Sequence, residues 1–140
     1  MNVVIDTNVW ISALISKDGF SRDIIRLALN NKISPQISTS LFLEYETVMK
    51  RQKIQDLSSL TPEEQNELFQ AFLSTCKWNE IFYLWRPNLN DKDDDFLVEL
   101  AVASNSKVII TDNKKDIDSG ELKFNFDVFT PAEFLKRNKP

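Results

Sequence analysis

The sequence of 140 residues contains no histidine and a single cysteine, Cys76. Without histidine, the chain has neither a Ser-His-Asp nor a Cys-His triad, and no imidazole to act as a general base. Histidine-ligated zinc is excluded, and one cysteine cannot form a thiolate zinc site, an iron–sulfur cluster or an intrachain disulfide. Carboxylates are abundant, with 21 aspartates and glutamates. Any catalysis is therefore expected to use carboxylates, alone or with a hard cation such as Mg²⁺ or Mn²⁺.

Long apolar stretches are also missing, because no run in the sequence approaches the ~20 residues that span a bilayer. Residues 1–6 lack the basic and apolar regions of a secretion signal. We therefore expect a cytoplasmic protein without a membrane partner, and the length suits one domain over 1–140. The net charge of −4 argues against a broad basic nucleic-acid surface, although it leaves room for a local one.

Short apolar runs alternate along the chain with segments of helical periodicity. Strands are predicted over 3–5, 33–38, 107–111 and 127–129, and residues 81–85 form a further β-rich run. Helices are predicted over 9–15, 21–31, 40–51, 62–75, 91–104 and 131–135. Pro35 is expected to place the second strand at a sheet edge or to shorten it; Thr39 or Ser40 should cap the third helix, with Thr61 and Thr130 capping later ones. The alternation predicts an α/β fold with a mostly parallel sheet.

Polar residues follow two of the predicted buried strands. Asp6 comes directly after the strand over 3–5, and Thr111, Asp112 and Asn113 end the strand over 107–111. Ligands of parallel sheets bind outside the carboxyl ends of the strands, so these side chains are expected near one site. An alternative for Asp6 is a purely structural role as a helix N-cap.

Glu44 occupies the apolar face of the predicted third helix, with Leu41, Tyr45 and Val48. Glu46 lies on the opposite, solvent-facing side. A carboxylate that faces the core is costly unless it is paired with a cation. That cation could be a metal ion or a buried arginine or lysine, and the spacing alone leaves both open.

Four acids open the predicted helix over 91–104, and the helix dipole alone would favour acids there. Leu97 starts the apolar face, and stepping back three residues selects Asp94, with Asp95 in reserve. The other two are Asp91 and Asp93.

A further acidic pair, Asp112 and Asp116, follows the strand over 107–111, with Lys114 and Lys115 alongside. The structural alternative is a polar loop that caps a helical turn. Taken together, acids from two strand ends, a helix face and a helix start would converge at one edge of the sheet. Such a cluster is self-repelling unless a divalent cation neutralises it, which favours a Mg²⁺ or Mn²⁺ site.

Five segments in this order resemble the PIN-domain ribonucleases, and the resemblance covers essentially the whole chain. They are VVIDTN at 3–8, EYE at 44–46, DKDDDFLVELA at 91–101, VIITDNKKD at 108–116 and FTPAEFL at 129–135. The last segment is similar to a subgroup described as toxins of toxin–antitoxin pairs. The resemblance implies a three-layer α/β/α sandwich and a metal-dependent endoribonuclease that cleaves single-stranded RNA. It also implies a homodimer with a small antitoxin protein as partner.

The resemblance further implies which residues form the site. The family's four acids correspond to Asp6, Glu44, Asp94 and Asp116, and Asp95 and Asp112 are additional candidate metal ligands. The supporting polar residues are Asn8, Thr111 and Asn113. Asp112 is an unusual occupant of its place in the fourth segment, and Ile117 replaces a frequent aromatic. Both departures bear on the fourth ligand rather than on the fold.

The mechanism expected from these residues is hydrolysis by a metal-activated water. The cation lowers the pKa of the water and stabilises charge on the scissile phosphate. The resemblance suggests 5′-phosphate and 3′-hydroxyl products. Lys114 and Lys115, with Lys17 or Arg22, are expected to contact flanking phosphates, although each could equally be a solvated surface charge. Trp10 is expected to pack in the core rather than stack on a base.

Three other functions compete with the nuclease interpretation. A receiver-like signalling domain would need paired acids after the first strand, and Asp6 has no acidic neighbour. A haloacid-dehalogenase-like phosphatase would need an acid where Asn8 stands. The stronger alternative is a catalytically weak or inactive PIN fold kept for protein interaction or RNA binding. The net charge of −4 favours it, because RNA affinity depends heavily on basic residues.

Overall fold

The computed structural model describes residues 1–81, 95–114 and 126–138, with only the backbone of residue 95. Within these residues, five strands form one sheet in the order β3-β2-β1-β4-β5, and every pairing is parallel. The strands are β1 (Asn2–Ile5), β2 (Ser34–Ile37), β3 (Lys77–Trp78), β4 (Val108–Ile110) and β5 (Asp127–Phe129). This arrangement confirms the predicted α/β class with a parallel central sheet.

Seven helices occupy the described parts of the chain between and after these strands. They are α1 (Thr7–Ile15), α2 (Phe20–Leu29), α3 (Thr39–Met49), α4 (Gln52–Leu57), α5 (Pro62–Thr75), α6 (Asp95–Ala103) and α7 (Pro131–Arg137). None of the helices in this part of the chain is long and apolar enough to cross a membrane.

The two central strands bring distant parts of the sequence to one edge of the sheet. β1 and β4 are short apolar runs buried on both faces, as expected for parallel strands covered by helices. Their register pairs Ile5 with Ile110, and the backbone N–H of Asp6 donates to the Ile110 carbonyl at 2.9 Å. The residues that follow both strands therefore emerge side by side.

Of the two expectations for Pro35, the edge position is wrong, because β2 lies between β1 and β3, whereas the strand is indeed shorter than the predicted 33–38. The N–H of Ser34 points toward β1 and the carbonyl of Ile37 toward β3, so alternation turns the nitrogen of Pro35 toward β3. β3 begins opposite Gln36 and pairs only with Gln36 and Ile37. The missing N–H of Pro35 therefore breaks no bond of the sheet.

An aromatic cluster under α1 forms part of the core. Trp10 is fully buried and stacks on Phe72 at 5.1 Å between ring centroids, with Phe69 and Tyr45 at 5.3 and 6.4 Å. This confirms that Trp10 packs in the core. It also fixes α1 against α3 and α5, so the N-terminal end of α1 is held rigidly after β1.

Of the caps predicted for the third and later helices, those of α5 and α7 are confirmed and that of α3 is not. Thr61 and Thr130 each form a capping box, with Glu64 and Glu133. The α3 cap is instead Ser38, whose buried hydroxyl accepts the Leu41 N–H at 3.3 Å. The two predicted caps, Thr39 and Ser40, lie one and two residues after the observed cap.

Two elements were not predicted from the sequence, α4 and β3. No residue of α4 is buried and both residues of β3 are exposed, so neither carries a hydrophobic pattern. Residues 82–85 of the β-rich run lie outside the described residues, and so do residues 91–94 of the predicted acidic helix start. The single domain over 1–140 stays a prediction.

Candidate metal-binding nuclease site

Asp6 stands at the joint carboxyl end of β1 and β4 and is 6% exposed. Its Oδ1 accepts the Thr7 N–H at 2.7 Å, which caps α1, and its Oδ2 accepts the hydroxyl of Thr111 at 2.7 Å. The structural and functional interpretations of Asp6 are therefore compatible, because one oxygen serves the helix cap and the other faces β4.

Asn8 and Thr111 hold this carboxylate in place. The Asn8 amide donates to Asp6 Oδ2 at 3.3 Å and to Thr111 Oγ1 at 3.4 Å, and its Oδ1 accepts the Asp112 N–H at 3.2 Å. Thr111 Oγ1 also accepts the backbone N–H of Asn113 at 3.0 Å. The first turn of α1 and the exit of β4 are thus joined through side chains that the sequence marked as supporting residues.

Electrostatics set Asp6 apart from an ordinary surface acid. Its pKa is raised from 3.8 to about 6, chiefly by burial, and the carboxylates of Glu44 and Asp112 add to this effect. Hydrogen bonds from Thr111 and Thr7 oppose the rise in pKa. The site therefore holds a concentration of negative charge that a bound cation would relieve.

Glu44 reaches the site through α3. The neighbouring residue, Tyr45, is buried, and its hydroxyl donates to the carbonyl of Ile5, which ties α3 to the last residue of β1. Glu44 and Glu46 are both half-buried, so burial alone does not separate them, and Glu46 pairs with Lys50 at 3.8 Å. Within the described part of the chain, Glu44 forms no ion pair, so no arginine or lysine there takes the place of a metal.

Asp112 lies against the face of α1 that carries Asn8 and Ser12. The Ser12 hydroxyl hydrogen-bonds its carboxylate and lowers the carboxyl pKa, while burial, the larger effect, raises that pKa above the usual value. The Asp112 side chain also lines an open cavity between α1, α2 and the start of α7. Ser12 was not predicted as a site residue, although it lies four residues after Asn8 and hence on the same helix face.

Comparison with known proteins identifies the family. A family model described as "PIN domain" matches residues 2–115. The chain belongs to the PIN domain family. Family membership supports a nuclease role, because PIN domains are generally nucleases that use divalent metal ions.

Two similar proteins extend this finding. An uncharacterized protein of Methanocaldococcus jannaschii is 30% identical over 97% of this chain and 90% of its own length. The crystal structure of VapBC2 from Rickettsia felis, bound to a DNA fragment from their promoter, matches with a TM-score of 0.61. That match covers 91% of this chain and 97% of the other at 18% identity, so it shows a shared fold.

The remaining acids predicted for this PIN domain fall largely outside the described residues. Asp91, Asp93, Asp94 and Asp116 lie there, and only the backbone of Asp95 is described. In the ranges 1–81, 96–114 and 126–138, no three acidic or cysteine side chains come close enough to hold a metal ion. A complete set of metal ligands would therefore have to add acids from residues 91–95 and 116 to Asp6 and Glu44.

The topology of the PIN domain fixes where α6 begins. Its last turn lies at the amino end of the sheet, since Asn2 Nδ2 at the start of β1 donates to the Ser104 carbonyl at 3.1 Å. α6 packs against β1 and β4 and runs antiparallel to them before leading into β4. The backbone of Asp95, its first residue, therefore lies at the carboxyl end of the sheet, as Asp6 does.

The cations predicted to contact phosphate differ in their surroundings. Lys114 is half-buried and pairs with Glu133 at 3.3 Å, and Lys115 lies outside the described residues. Lys17 is exposed, as a phosphate contact requires. The prediction for Arg22 is wrong, because its side chain is 8% exposed and its Nε donates to the Ala13 carbonyl at 2.6 Å.

Proposed function

We propose that this PIN domain is a metal-dependent endoribonuclease that cleaves single-stranded RNA. The observation that carries the proposal is the buried Asp6 carboxylate at the carboxyl ends of two central strands, with a pKa raised to about 6 and Glu44 and Asp112 nearby. A buried acid with this electrostatic environment in a nuclease family is a candidate for metal binding.

The described residues fit a hard cation. Among them, Asp6 Oδ1 accepts one hydrogen bond, from Thr7, so its second lone pair is open to a metal ion. Asp6, Glu44 and Asp94 would hold Mg²⁺ or Mn²⁺, both of which prefer carboxylate oxygens. Asp95, Asp112 and Asp116 are further candidate ligands.

When bound, Mg²⁺ or Mn²⁺ makes hydroxide available near neutral pH and stabilises charge on the scissile phosphate. The residues of the chain position the reaction. Thr111 and Asn8 fix the rotamer of Asp6 through hydrogen bonds to Oδ2. We assign Asp116 to orient the attacking water, with 5′-phosphate and 3′-hydroxyl products. Lys114 and Lys115 would contact the phosphates on either side.

Cleavage of an unstructured RNA tests this proposal. The wild type with Mn²⁺ or Mg²⁺ should cleave, and EDTA or the substitution Asp6→Asn should reduce the rate by at least about a hundredfold. Asp127→Asn is a matched control, because it removes the charge of an exposed aspartate on β5. Cleavage that survives both EDTA and Asp6→Asn would overturn the metal–carboxylate mechanism.

We further propose that the protein acts as the toxin of a toxin–antitoxin pair and forms a homodimer. The support is the resemblance of residues 129–135 to the toxin subgroup and the fold shared with VapBC2. Purification from the native host should yield a second, smaller protein in a stable complex. Sedimentation of the purified chain should give the mass of two copies; a monomer at micromolar concentration would contradict the homodimer.

A PIN fold kept for interaction is the second candidate, favoured by the net charge of −4 and by the engagement of Lys114 with Glu133. Calorimetry separates the two functions. Binding of Mn²⁺ to the wild type but not to Asp6→Asn supports the nuclease, whereas no uptake by the wild type favours the interaction module.

A further inference from the structure

The cavity beside Asp112, called here the Asp112 cavity, is not explained by metal binding or hydrolysis. Its volume is about 260 Å³, and the residues that line it include Ser12, Ser16, Phe20, Ser21, Asp112 and Pro131. All of these residues are described in the structure. The volume lies just below the ~300–1,000 Å³ typical of drug-sized ligand sites, so it suits a smaller flat group such as one nucleobase.

The Asp112 cavity adjoins the candidate metal site through direct contacts. Thr111 donates to Asp6, and the next residue, Asp112, donates its N–H to Asn8. Asn8 and Ser12 lie one turn apart on the same face of α1, with Asn8 at the metal site and Ser12 at the cavity. A nucleotide next to a phosphate bound at Asp6 would therefore have this cavity within reach.

The chemistry of the lining suits a base better than a phosphate. Among the described residues, no lysine or arginine lines the cavity, and the carboxylate of Asp112 would repel an anion. Phe20 is an unusually exposed aromatic, at 61%, and offers a ring face for stacking. Ser12, Ser16 and Ser21 supply hydroxyls to the lining, and the Ser12 side chain interacts with the Asp112 carboxylate.

We propose that the Asp112 cavity binds one unpaired guanine of the RNA substrate, with Asp112 accepting hydrogen bonds from the guanine N1–H and N2–H₂. The inference rests on the proposed nuclease function and names the base that the same site would select. Phosphate contacts position a nucleic acid, whereas contacts to base edges specify its sequence.

Guanine follows from the pattern of donors on the bases. An ionised carboxylate only accepts hydrogen bonds, and it offers about four lone-pair sites. Guanine presents two adjacent N–H donors on its Watson–Crick edge. Adenine and cytosine present one amino group beside a ring nitrogen acceptor, which the carboxylate would repel. Uracil presents a single N–H between two carbonyls.

Nucleotide binding tests the Asp112 cavity without any cleavage. GMP, AMP, CMP and UMP carry the same phosphate, so their affinities in EDTA differ only through the base. We expect the wild type to bind GMP at least tenfold more tightly than the other three, and Asp112→Asn to remove this preference. Asp127→Asn should keep it. Equal affinities for all four nucleotides in the wild type would overturn the proposal.

A second variant keeps the proposal testable if Asp112→Asn fails to fold. Phe20→Ala removes the exposed ring and should weaken GMP binding at least about fivefold, because stacking contributes about 1–3 kcal/mol per base. Unchanged GMP affinity in Phe20→Ala would also overturn the proposal.

Calorimetry with Mn²⁺ separates this role from metal ligation by Asp112. If Asp112 reads a base, Asp112→Asn should bind Mn²⁺ within about threefold of the wild-type affinity. Loss of Mn²⁺ binding in this variant would instead make Asp112 a metal ligand and overturn the guanine proposal.

Cleavage of a random-sequence RNA pool extends the test to the substrate. Guanine should be enriched at one fixed position beside the cut, and Asp112→Asn should flatten that enrichment. Cleavage without guanine enrichment would overturn the cavity proposal and leave the nuclease standing. Selective GMP binding without any cleavage would support the cavity and overturn the nuclease.

Discussion

Asp6 illustrates how one residue combines a structural and a chemical role. It caps α1 through Oδ1 and accepts hydrogen bonds from Thr111 and Asn8 through Oδ2, yet its burial still raises its pKa to about 6. Three hydrogen bonds do not offset the cost of burying the charge beside two other carboxylates. The metal-free protein therefore stores unfavourable electrostatic energy at this residue, which a bound cation would release.

This imbalance predicts a pH-dependent stability of the metal-free protein. Folding raises the pKa of Asp6 from its ordinary value of 3.8 to about 6, so the folded state binds the proton more tightly. The contribution of Asp6 to the free energy of unfolding is greatest below pH 4. It falls by at most about 3 kcal/mol as the pH rises through 6. Urea unfolding in EDTA should show the free energy of unfolding of the wild type falling relative to Asp6→Asn between pH 4 and 7. A difference independent of pH would contradict this assignment.

Thr111 provides a second prediction at the level of one side chain. Thr111→Val keeps the shape of the residue but removes the hydroxyl that donates to Asp6 at 2.7 Å. The free energy of unfolding at pH 7 should fall by about 2 kcal/mol, because this hydrogen bond serves a buried charged group. Thr47→Val, on an exposed position of α3, is the control and should change little. Equal losses in the two variants in urea would show that the hydroxyl does not support Asp6.

At the level of elements, the site depends on how α1 and α3 are fixed to β1. Asp6 caps the start of α1, and α3 is joined to the end of β1 by the hydroxyl of Tyr45, next to Glu44. Both helices also pack on the aromatic cluster around Trp10. The two acids at the site are therefore carried by elements whose orientation the core determines.

The start of α3 gives a prediction at this scale. Ser38→Ala removes the hydroxyl that caps the helix and should lower the free energy of unfolding by about 1 kcal/mol. Ser40→Ala is a closely matched control, because Ser40 lies exposed inside the same first turn and should change stability by less than about 0.5 kcal/mol. The urea midpoints of the two variants measure this difference. A larger loss of stability in Ser40→Ala than in Ser38→Ala would contradict the observed cap.

The whole molecule is acidic, with 17 basic and 21 acidic residues, which limits how it can bind RNA. Of the cations expected to contact phosphate, Arg22 is buried and Lys114 is paired with Glu133. The protein as a whole therefore offers little electrostatic attraction to a polyanion, and a bound metal and base contacts would have to contribute more of the affinity.

This charge distribution predicts a weak salt dependence of RNA binding. With about one to three phosphates neutralised, the logarithm of the binding constant should fall against the logarithm of salt concentration with a slope of about −1 to −2. Fluorescence anisotropy with Asp6→Asn and a labelled unstructured RNA measures the slope without cleavage. A slope steeper than about −4 would indicate a basic surface that the described residues do not provide.

The sequence by itself determined the features that depend on neighbouring residues. The β-branched runs of β1 and β4 fixed two buried strands, and the Thr-Pro-x-Glu and Thr-Pro-Ala-Glu segments fixed the starts of α5 and α7. It failed where the local signal was absent or misleading. Both residues of β3 are exposed, so this strand has no hydrophobic signal in the sequence. Pro35 indicates an edge strand because the sequence does not show that β3 begins opposite the next residue, Gln36.

The tertiary structure alone decided which of the 21 acids face one another. Only the parallel register of Ile5 with Ile110 brings the Thr111 hydroxyl, 105 residues away in the chain, to Asp6. The same register sends Asp112 to Ser12 and the adjoining cavity. Sequence periodicity reports which face of an element is apolar, but pairing between distant strands depends on packing of the whole core. The lack of histidine indicated carboxylate chemistry, and the fold then buried Asp6 at the end of β1 and placed Asp112 at the edge of the neighbouring cavity.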